Sequence, residues 1–564
     1  MAAGPARADD GGGDDRRRSW WHGDHGSLRE LLVHVGAFAA LASVAWIVGH
    51  LAEQRKRRKT LILALTSPNC RNREEETVPD YAEVPGSPSH LYHSGQAKLF
   101  SEKLQAQTQK SSQVINEIYV HPVPRLSDYL PDIEYYDNRF FRTRTGTSSR
   151  RGYCVAVSDG QVVLSDLVRT QEHSRGTAFV RAGPRSEIVF RPTEVVACIV
   201  TCGGLCPGLN DVIHELVEML HYNYSVDTVY GIRFGYRGFY DPDFLPYLRL
   251  TPAVTQAFHK TGGTMLGSSR GGFDLDKILN AIKEHDISQI YIIGGDGTHR
   301  GATAIYDEVR RRKLKISVVC IPKTIDNDIG IIDRSFGFNT AVEEAQKAIA
   351  SARVEAACVP KGIGLVKLMG RYAGFIAAHA TLASQEVDLC LIAEIPIQLE
   401  GDQGILSHIK RAIEKNGHCT IVLAEGAGGN LLQKSDVRDA SGNYIPEDIG
   451  VYLKKVLKDH FRSIGTEVSI KYNDPSYMIR SVPANASDAI YCMILAQNAV
   501  HGAMAGYTGF TSGLVNNRTV LLPINLVTES SPTFLNPNGH TWERVVRTTH
   551  QPFVTSITPV PTSV

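Results

Sequence analysis

The most restrictive feature of this sequence is a unit that recurs after Val195, in which an apolar run leads into a polar, glycine-rich loop and then into a helical pattern. "VVACIVT" leads into "CGGLCPGLN" and "DVIHELVEMLHY", whereas "QIYIIGG" leads into "DGTHRG" and "ATAIYDEVRRRK". A third run, "KISVVCIP", leads into "KTIDNDIG". Apolar runs without polar alternation, separated by helical patterns, are typical of parallel strands buried on both faces. The sequence therefore predicts an α/β fold with doubly wound, mostly parallel sheets.

The size and composition of the chain limit its class. A chain of 564 residues is too long for one compact domain, and about three or four folding units are expected. The 60 Lys and Arg residues balance the 59 Asp and Glu residues, which excludes the charge surplus that a protein coating nucleic acid needs. The ten cysteines include no CxxC pair, and Cys198, Cys202 and Cys206 are spread from a strand into a loop. We therefore expect reduced thiols in an intracellular protein.

Residues 1–114 are predicted to contain a disordered N-terminus, a hydrophobic segment and a linker. The segment 31–52 reads "LLVHVGAFAALASVAWIVGHLA". As a helix it would reach about 33 Å, enough to cross a bilayer. The basic "EQRKRRK" that follows would keep the rest of the chain cytosolic. Three interpretations stay open: a membrane anchor, an amphipathic or buried helix, and a plastid-type targeting peptide, against which the aspartates near the N-terminus count.

The remaining sequence divides into three regions. Residues 115–193 are strand-like and aromatic, as in "YVHPVPRLSDYLPDIEYY", and are predicted to form a small N-terminal accessory domain. Residues 194–525 contain the recurring units and are predicted to form the core. Residues 526–564, which end in "SITPVPTSV", are predicted to be an irregular C-terminal tail.

Ligands of an open parallel sheet bind at the carboxyl ends of its strands, and three polar loops are predicted to lie there. In "GGDGT", Gly294 to Thr298, glycine lets the backbone approach a phosphate, and the next helix offers its N-terminal N–H groups. Asp296 would repel phosphates unless Mg²⁺ bridged the oxygens. A tight turn with a capping Asp or Thr is the alternative. "CGGLCPGLN", which contains Gly204, is either a second close-approach loop or a plain strand–helix turn.

The strongest indication of chemistry is "PKTIDND", in which Lys323, Thr324 and two carboxylates follow a strand. Phosphoryl transfer needs an oriented nucleophile and neutralised charge rather than many covalent participants. Asp326 is a candidate general base for a substrate hydroxyl, and Thr324 can donate a hydrogen bond to the moving phosphoryl group. Asp328 could orient its neighbours or bind a metal through water, and Lys323 adds positive charge beside the phosphates. An Asx-rich turn is the alternative.

Together these loops resemble the phosphofructokinases, and further motifs occur in the order that this family requires. "GGTMLGSSRGG" contains Arg270, "LMGRYAG" contains Arg371, "VLAEGAGG" contains Glu425, and "DPSYMIRS" contains Arg480. The resemblance covers about residues 194–525. It implies two Rossmann-like α/β lobes with the site between them, a homotetramer and allosteric control.

The resemblance also implies an activity: phosphoryl transfer from ATP to the 1-hydroxyl of fructose 6-phosphate, the committed step of glycolysis. Asp326 would take the hydroxyl proton, and Arg270, Thr324 and Mg²⁺ near Asp296 would act on the phosphoryl group. The implied ATP-binding residues are Gly204, Arg270, Gly271, Gly295, Asp296, Gly297 and Thr298, with Asp296 at the metal. The implied substrate-binding residues are Thr324, Ile325, Asp326, Met369, Gly370, Arg371, Glu425, Tyr477, Met478, Ile479 and Arg480.

Two residues bear on the phosphoryl donor. In this family an aspartate at the position of Gly297 obstructs the α-phosphate of a nucleotide, so Gly297 favours ATP. Lys323 is found in pyrophosphate users, yet Gly297 with Lys323 is similar to plant and trypanosomatid ATP-dependent members. Two substrate arginines of the family are replaced: Lys361 stands in for one or the contact is absent, and Lys471 would meet phosphate as a point charge.

Several alternatives stay open. A pyrophosphate-dependent enzyme is the nearest, while a catalytically silent regulatory paralogue would be expected to have lost Asp326, Asp296 or Arg270. Lipid and NAD kinases share "GGDGT" but give no reason for "PKTIDND" and "MGR" together. The expected partners are ATP and fructose 6-phosphate, and no nucleic acid. The expected location is the cytoplasm, either free or tethered to a membrane through residues 31–52, with the plastid as the alternative.

Overall fold

The computed structural model describes residues 118–138, 156–165, 176–432 and 447–552, which belong to one unit, Phe100–Val564. The predicted disordered N-terminus, hydrophobic segment 31–52 and linker lie outside the described residues. Within the described part of the chain, none of the helices combines the length and apolar character that crossing a membrane requires.

Strands and helices alternate along most of the described chain. The strands are β1 (Ile118–His121), β2 (Tyr136–Asp137), β3 (Val162–Leu164), β4 (Gly176–Arg181), β5 (Glu187–Ile188), β6 (Val196–Thr201), β7 (Thr228–Ile232), β8 (Leu248–Arg249), β9 (Gln289–Gly294), β10 (Ser317–Pro322), β11 (Gly362–Leu368), β12 (Leu389–Leu391), β13 (His418–Ala424), β14 (Ser469–Asn473), β15 (Phe510–Val515) and β16 (Arg518–Pro523). The helices are α1 (Leu209–Glu218), α2 (Pro252–Thr255), α3 (Leu275–Glu284), α4 (Asp296–Arg311), α5 (Phe338–Ala357), α6 (Phe375–Ser384), α7 (Ile405–Asn416), α8 (Ile449–Ser463), α9 (Ser476–Arg480), α10 (Ala486–Met504), α11 (Ile524–Glu529) and α12 (His540–Thr549).

The larger sheet has ten strands in the order β1-β4-β16-β15-β10-β9-β6-β7-β8, with β3 paired to β4 outside this path. The pairs from β15 through β10, β9 and β6 to β7 are parallel, whereas β16 runs antiparallel to β15 and β4. Ile290 and Ile292 of β9 enter one apolar cluster, and Tyr291 and Ile293 enter another. Both faces of the sheet are therefore buried, as the unalternated apolar runs predict.

The smaller sheet has four parallel strands in the order β12-β13-β11-β14. Ile363 and Leu365 of β11 face one apolar cluster, and Val366 and Leu368 face the other. Helix α5 packs on β11 and β13, while α10 packs on α1 and on β10 of the larger sheet. The prediction of two doubly wound α/β lobes with mostly parallel sheets is confirmed.

The strand register brings the predicted polar loops to one edge of the larger sheet. β9 and β10 pair in parallel with Gly294 opposite Pro322, so the loops that follow them leave the sheet side by side. On the other side of β9, β6 pairs with Thr201 opposite Ile293, which adds the loop that starts at Cys202. Since these are the carboxyl ends of neighbouring parallel strands, this edge is where a ligand is expected to bind.

The region predicted as an accessory domain supplies strands to the larger sheet. β1 and β3 pair with β4, and β4 joins the core through β16; β2 and β5 form a small separate pair. The Asp159 carboxylate lies 2.9 Å from Arg125 and 2.8 Å from Arg185, and both guanidinium groups lie over the Tyr507 ring. The domain boundaries stay a prediction, but these strands extend the sheet of the core.

The end of the described chain differs from the expected irregular tail. α12 places Trp542 and Val545 on one face, and both side chains are buried in the main apolar cluster. An apolar pair three residues apart defines a helical face. The helical pattern of this segment is weak in the sequence, because the apolar pair spans only one turn and Thr and Pro residues lie around it.

Replacing Trp542 with Ala is expected to lower the free energy of unfolding by about 3–5 kcal/mol, because the change removes apolar burial and leaves a cavity. Arg544, exposed on the same helix, is the matched site, and Arg544→Ala is expected to change that free energy by less than about 0.5 kcal/mol. Urea unfolding followed by circular dichroism measures both. Equal losses in the two variants would contradict the packing of α12.

Candidate active site

The loop after β10 is fixed by its own polar side chains. Asn327 has a left-handed backbone with φ of 59°, which asparagine tolerates better than most residues. Its Oδ1 accepts hydrogen bonds from the Ser335 N–H at 2.8 Å and the Ser335 hydroxyl at 3.3 Å. The Thr324 hydroxyl accepts from the Asp326 N–H at 3.2 Å. These hydrogen bonds fix the turn that carries Asp326 and Asp328.

Asp326 has the chemistry of a proton acceptor. One of its carboxylate oxygens, Oδ1, is buried without a hydrogen-bond partner. Burial raises the pKa of Asp326 to about 8; the charges of Asp328 and Glu425 add to the rise, while Arg371 and Lys323 oppose it. A carboxylate with a pKa near neutrality is poised to accept a proton from a bound hydroxyl group.

Asp296 and Asp328 form a second acidic feature at the ends of β9 and β10. Burial raises the pKa of Asp296. Burial also raises the pKa of Asp328, the charge of Asp296 adds to the rise, and a hydrogen bond from Thr324 opposes it. Among the described residues there is no group of three or more side chains of the types that ligate metals. Two carboxylates at this edge fit Mg²⁺ that also binds phosphate oxygens, because Mg²⁺ usually takes one or two carboxylates together with phosphates.

The N-terminus of α4 is built to approach a phosphate. α4 begins at Asp296 directly after Gly295, so its first N–H groups point out of the sheet edge. A Cβ atom placed on Gly297 would meet no atom within 4 Å, so the space beside this residue is open. Thr298 is buried, and its hydroxyl packs against Gly294.

Lys323 connects the loop after β10 with the loop after β6. Its side chain is only 6% exposed, and its ammonium group donates to the Gly204 carbonyl at 2.7 Å. Burial lowers the pKa of Lys323. The Ser268 hydroxyl donates to the Gly203 carbonyl at 2.6 Å, and the Gly203 N–H donates to the Ser269 carbonyl at 3.0 Å. Three loops that carry predicted phosphate-binding residues are therefore tied together.

An open cleft of about 780 Å³ lies between the two lobes' loops. Its lining includes Gly204, Arg270, Tyr477 and Arg480. The Arg480 Nε is buried without a hydrogen-bond partner, and its guanidinium carbon lies 4.8 Å from the centre of the Tyr477 ring. A Cβ atom on Gly262 would lie 1.8 Å from the Ser481 carbonyl, so the first-lobe loop touches the end of α9. The structure thus brings Arg270 and Arg480, which are distant in sequence, to one cleft.

The loops after β11 and β13 are bonded to each other. The Glu425 N–H donates to the Leu368 carbonyl at 2.8 Å, and the Gly426 N–H donates to the Gly370 carbonyl at 3.1 Å. A Cβ atom on Gly426 would lie 1.9 Å from the Arg371 carbonyl. Burial raises the pKa of Glu425, and the charge of Arg371 opposes the rise. Arg371 and Glu425 are therefore neighbours, and both affect Asp326 through their charges.

Other predicted site residues have different surroundings. The side chains of Ile325, Met369 and Ile479 lie in the main apolar cluster, so their backbone groups are what a ligand could reach. Tyr477 and Met478 are 75% and 74% exposed. Gly271 is an exposed glycine with φ of 75°. Lys471 lies 3.7 Å from Glu355, and Lys361 has a left-handed backbone; neither lines the cleft around Arg270.

Comparison with known proteins identifies the family. The family model described as phosphofructokinase matches residues 196–503, more than half of the chain. The chain belongs to the phosphofructokinase family. It is 52% identical over 433 residues to ATP-dependent 6-phosphofructokinase 7 of Arabidopsis thaliana, with 76% of this chain and 88% of that protein covered. It is 49% identical over 435 residues to the chloroplastic ATP-dependent 6-phosphofructokinase 4 of the same plant, with 76% and 81% covered.

A solved structure supports the same fold. A pyrophosphate-dependent phosphofructokinase from Nitrosospira multiformis superposes with a TM-score of 0.52 at 19% identity, covering 66% of this chain and 99% of that one. At this level of identity the match concerns the fold alone. The predicted membership of the phosphofructokinase family is confirmed.

This phosphofructokinase contains a partly exposed ion-pair network, centred on Lys367, that the sequence analysis missed. The Lys367 ammonium group donates to Asp448 at 2.6 Å and lies 2.8 Å from Asp474. Burial alone would lower the pKa of Lys367, but the hydrogen bonds to Asp448 and Asp474 raise it. The Tyr472 hydroxyl donates to Asp448 at 2.9 Å. Asp474 begins the "DPSYMIRS" motif, so this network holds the segment that contains Arg480. The sequence signal that could have revealed the network is the single lysine inside the apolar strand "GIGLVKL".

Proposed function

We propose that this member of the phosphofructokinase family transfers the γ-phosphoryl group of ATP to the 1-hydroxyl of fructose 6-phosphate. The observation that carries this proposal is the environment of Asp326: an unpartnered carboxylate oxygen with a pKa of about 8, next to a glycine-lined phosphate loop. Relatives about half identical to this chain carry the name ATP-dependent 6-phosphofructokinase. The products are ADP and fructose 1,6-bisphosphate.

The proposed step balances atoms and charge within the site. Asp326 Oδ1 takes the proton of the sugar 1-hydroxyl as that oxygen forms a bond to the γ-phosphorus. The bond between the γ-phosphorus and the bridging oxygen breaks, and ADP leaves with that oxygen. Arg270 stabilises negative charge on the transferred group, and Thr324 donates a hydrogen bond to it. Mg²⁺, held through Asp296 and Asp328, would neutralise phosphate charge when bound.

The second lobe holds the sugar phosphate in this proposal. Arg480 offers a buried Nε–H with no protein acceptor, which suits a phosphate oxygen, and Tyr477 lies under the same guanidinium group. Arg371 and Glu425 lie close enough to Asp326 for their charges to act on it, so they are placed to bind the sugar end that reacts. The backbone of residues 369–370 and 478–479 completes this site.

The open space at Gly297 supports ATP as the donor. Gly297→Asp adds a carboxylate where no protein atom lies within 4 Å, so the fold is expected to stay intact while the nucleotide phosphates are repelled. We expect turnover with ATP to fall about 30- to 150-fold, equivalent to about 2–3 kcal/mol of like-charge repulsion. Gly297→Ala adds only a methyl group and is the matched control.

The test of function is a coupled assay of the purified protein with ATP or pyrophosphate against fructose 6-phosphate or NAD. Turnover of fructose 6-phosphate with ATP is the expected result. Preference for pyrophosphate would instead favour a pyrophosphate-dependent enzyme. Phosphorylation of NAD would favour a NAD kinase, and the absence of turnover would favour a regulatory paralogue. Melting temperatures with and without each donor show whether an inactive preparation is folded.

We further propose that the catalytic part lies in the cytoplasm and assembles as a homotetramer. Residues 31–52 tether it to a membrane in this proposal. The apolar length of that segment and the basic cluster after it support the tether. A curated relative named chloroplastic supports the plastid as the alternative. Fractionation of cells that express the chain with and without its first 60 residues separates the two: loss of membrane association supports the tether, and plastid import contradicts it.

A further inference from the structure

A short segment after α11 is hydrogen-bonded to the loop after β10, which carries Asp326, and is joined through Glu394 to the loop after β11, which carries Arg371. We call residues 530–535 the strap. At its first end, the Gly330 N–H donates to the Ser531 hydroxyl at 2.9 Å, and the Thr533 N–H donates to the Asp328 carbonyl at 2.7 Å. A Cβ atom on Gly330 would lie 2.2 Å from the Ser530 carbonyl, so the two segments are in close contact. The strap is therefore bonded to the backbone two residues after Asp326.

At its other end, the strap is bonded to a buried carboxylate. Glu394 is 6% exposed, and its Oε1 accepts from the Leu535 N–H at 2.7 Å and from the Gly374 N–H at 2.9 Å. Gly374 precedes the first residue of α6, where a negative charge also interacts favourably with the helix dipole. A Cβ atom on Gly374 would lie 2.4 Å from Ile392, so this amide has little freedom to move.

The two attachment points are close along the chain. Thr533 and Leu535 are two residues apart, so the strap joins them over a span of about 7 Å at most. Gly374 ends the loop that starts at Met369 and carries Arg371, and β11 fixes the start of that loop. The strap thus connects a loop of the first lobe to a loop of the second through few, well-defined hydrogen bonds.

We propose that the strap sets the distance between the Asp326 carboxylate and the loop 369–374, which carries Arg371. Glu394 is a positioning residue in this arrangement. This inference depends on the proposed roles of Asp326 and Arg371. The charged hydrogen bonds of Glu394 are stronger than neutral ones, and their loss leaves two buried N–H groups unsatisfied. Loosening either end of the strap lets the two loops move relative to each other. Bound substrate then spends less time in the reactive arrangement, although no reacting group is removed.

The test uses Glu394→Ala, Glu394→Gln, Ser531→Ala and the double variant Glu394→Ala with Ser531→Ala. We expect Glu394→Ala to raise KM for fructose 6-phosphate roughly tenfold and Ser531→Ala to lower kcat roughly threefold to tenfold. Glu394→Gln keeps one accepting oxygen and is expected to recover most of the loss. The double variant is expected to fall short of the product of the single effects by about threefold, because both changes release the same strap.

Glu543→Gln and Ser463→Ala are matched controls, since both side chains lie outside the strap and its contacts. Their KM and kcat are expected to equal those of the native protein. A double variant whose loss of kcat/KM equals the product of the two single losses would overturn the inference. A lower melting temperature with unchanged KM and kcat would also overturn it, because it would show a role in stability alone.

Amide hydrogen exchange tests the strap without relying on activity. In Glu394→Ala, faster exchange is expected in residues 369–375 and also in residues 324–331, although the Glu394 carboxylate is hydrogen-bonded to Gly374 and Leu535. Glu394→Gln is expected to show the same pattern to a smaller extent. Exchange that changes only in residues 369–375 would refute the connection. A native protein that shows no turnover of ATP with fructose 6-phosphate would refute the proposed function instead, whatever the exchange result.

Discussion

Replacing Asp326 with Asn is expected to lower kcat about 10²- to 10⁴-fold while KM for fructose 6-phosphate changes little, because the amide keeps the shape of the side chain but cannot accept the proton. Steady-state assays with ATP measure both constants. Asp459→Asn, an exposed change of the same type on α8, is the control and is expected to leave them unchanged. Unchanged turnover in the Asp326 variant would remove this residue from the mechanism.

The pH dependence checks the same assignment. Burial raises the pKa of Asp326 to about 8, so kcat/KM of the native protein is expected to rise as pH increases through about 8. The contribution of Asp326 to folding stability changes in the opposite direction and falls as pH increases. The folded protein keeps this proton up to about pH 8, whereas the unfolded chain loses it near pH 3.8, so this group costs stability as pH rises between these values. Asp326→Asn is therefore expected to be more stable than the native protein at pH 8.

Replacing Arg480 with Ala is expected to reduce kcat/KM for fructose 6-phosphate roughly 30- to 1000-fold, mainly through KM. Loss of a buried charged hydrogen-bond partner costs about 2–4 kcal/mol. Arg480→Lys keeps the charge but loses the forked donors, so an intermediate loss is expected. Steady-state assays over a range of sugar concentrations give the two constants.

A sugar without the 6-phosphate distinguishes phosphate binding from a general effect of the Arg480 change. Turnover of fructose is expected to be equally low in the native protein and in Arg480→Ala. Arg462→Ala, an exposed arginine change on α8, should leave the constants for fructose 6-phosphate unaltered. An equal loss with both sugars would show that Arg480 supports the fold of the cleft rather than the phosphate.

The sequence predicts the local parts of this site well because they follow from strand patterns. Apolar runs identify β9 and β10, and parallel pairing of these strands brings Asp296 and Asp328 to one edge. The glycines of "GGDGT" mark the helix N-terminus at α4. The family and the fold are confirmed, whereas the roles of individual residues in binding and catalysis stay predictions.

The contacts that the sequence does not reveal join residues far apart in the chain. Glu394 binds an amide 141 positions away, at Leu535, and no periodic pattern indicates such a pair. Lys367 stands alone as a charged residue in a buried strand, and its partners are known only once β14 and the N-terminus of α8 pack beside it. The strap is missed for a related reason: the N–H groups of Thr533 and Leu535, which carry two of its hydrogen bonds, belong to the backbone and leave no mark on the choice of side chain.

The pairing of β1 with β4 determines where this protein can be shortened. A chain starting after residue 138 would lose Ile118–His121 and leave the side of β4 that pairs with β1 open at residues 176–179, although β3 would still pair with residues 178–180. Such an open border attracts strands from other molecules, and aggregation is the expected outcome. Truncated forms for crystallisation should therefore retain Ile118, about 80 residues upstream of the point where the family match begins.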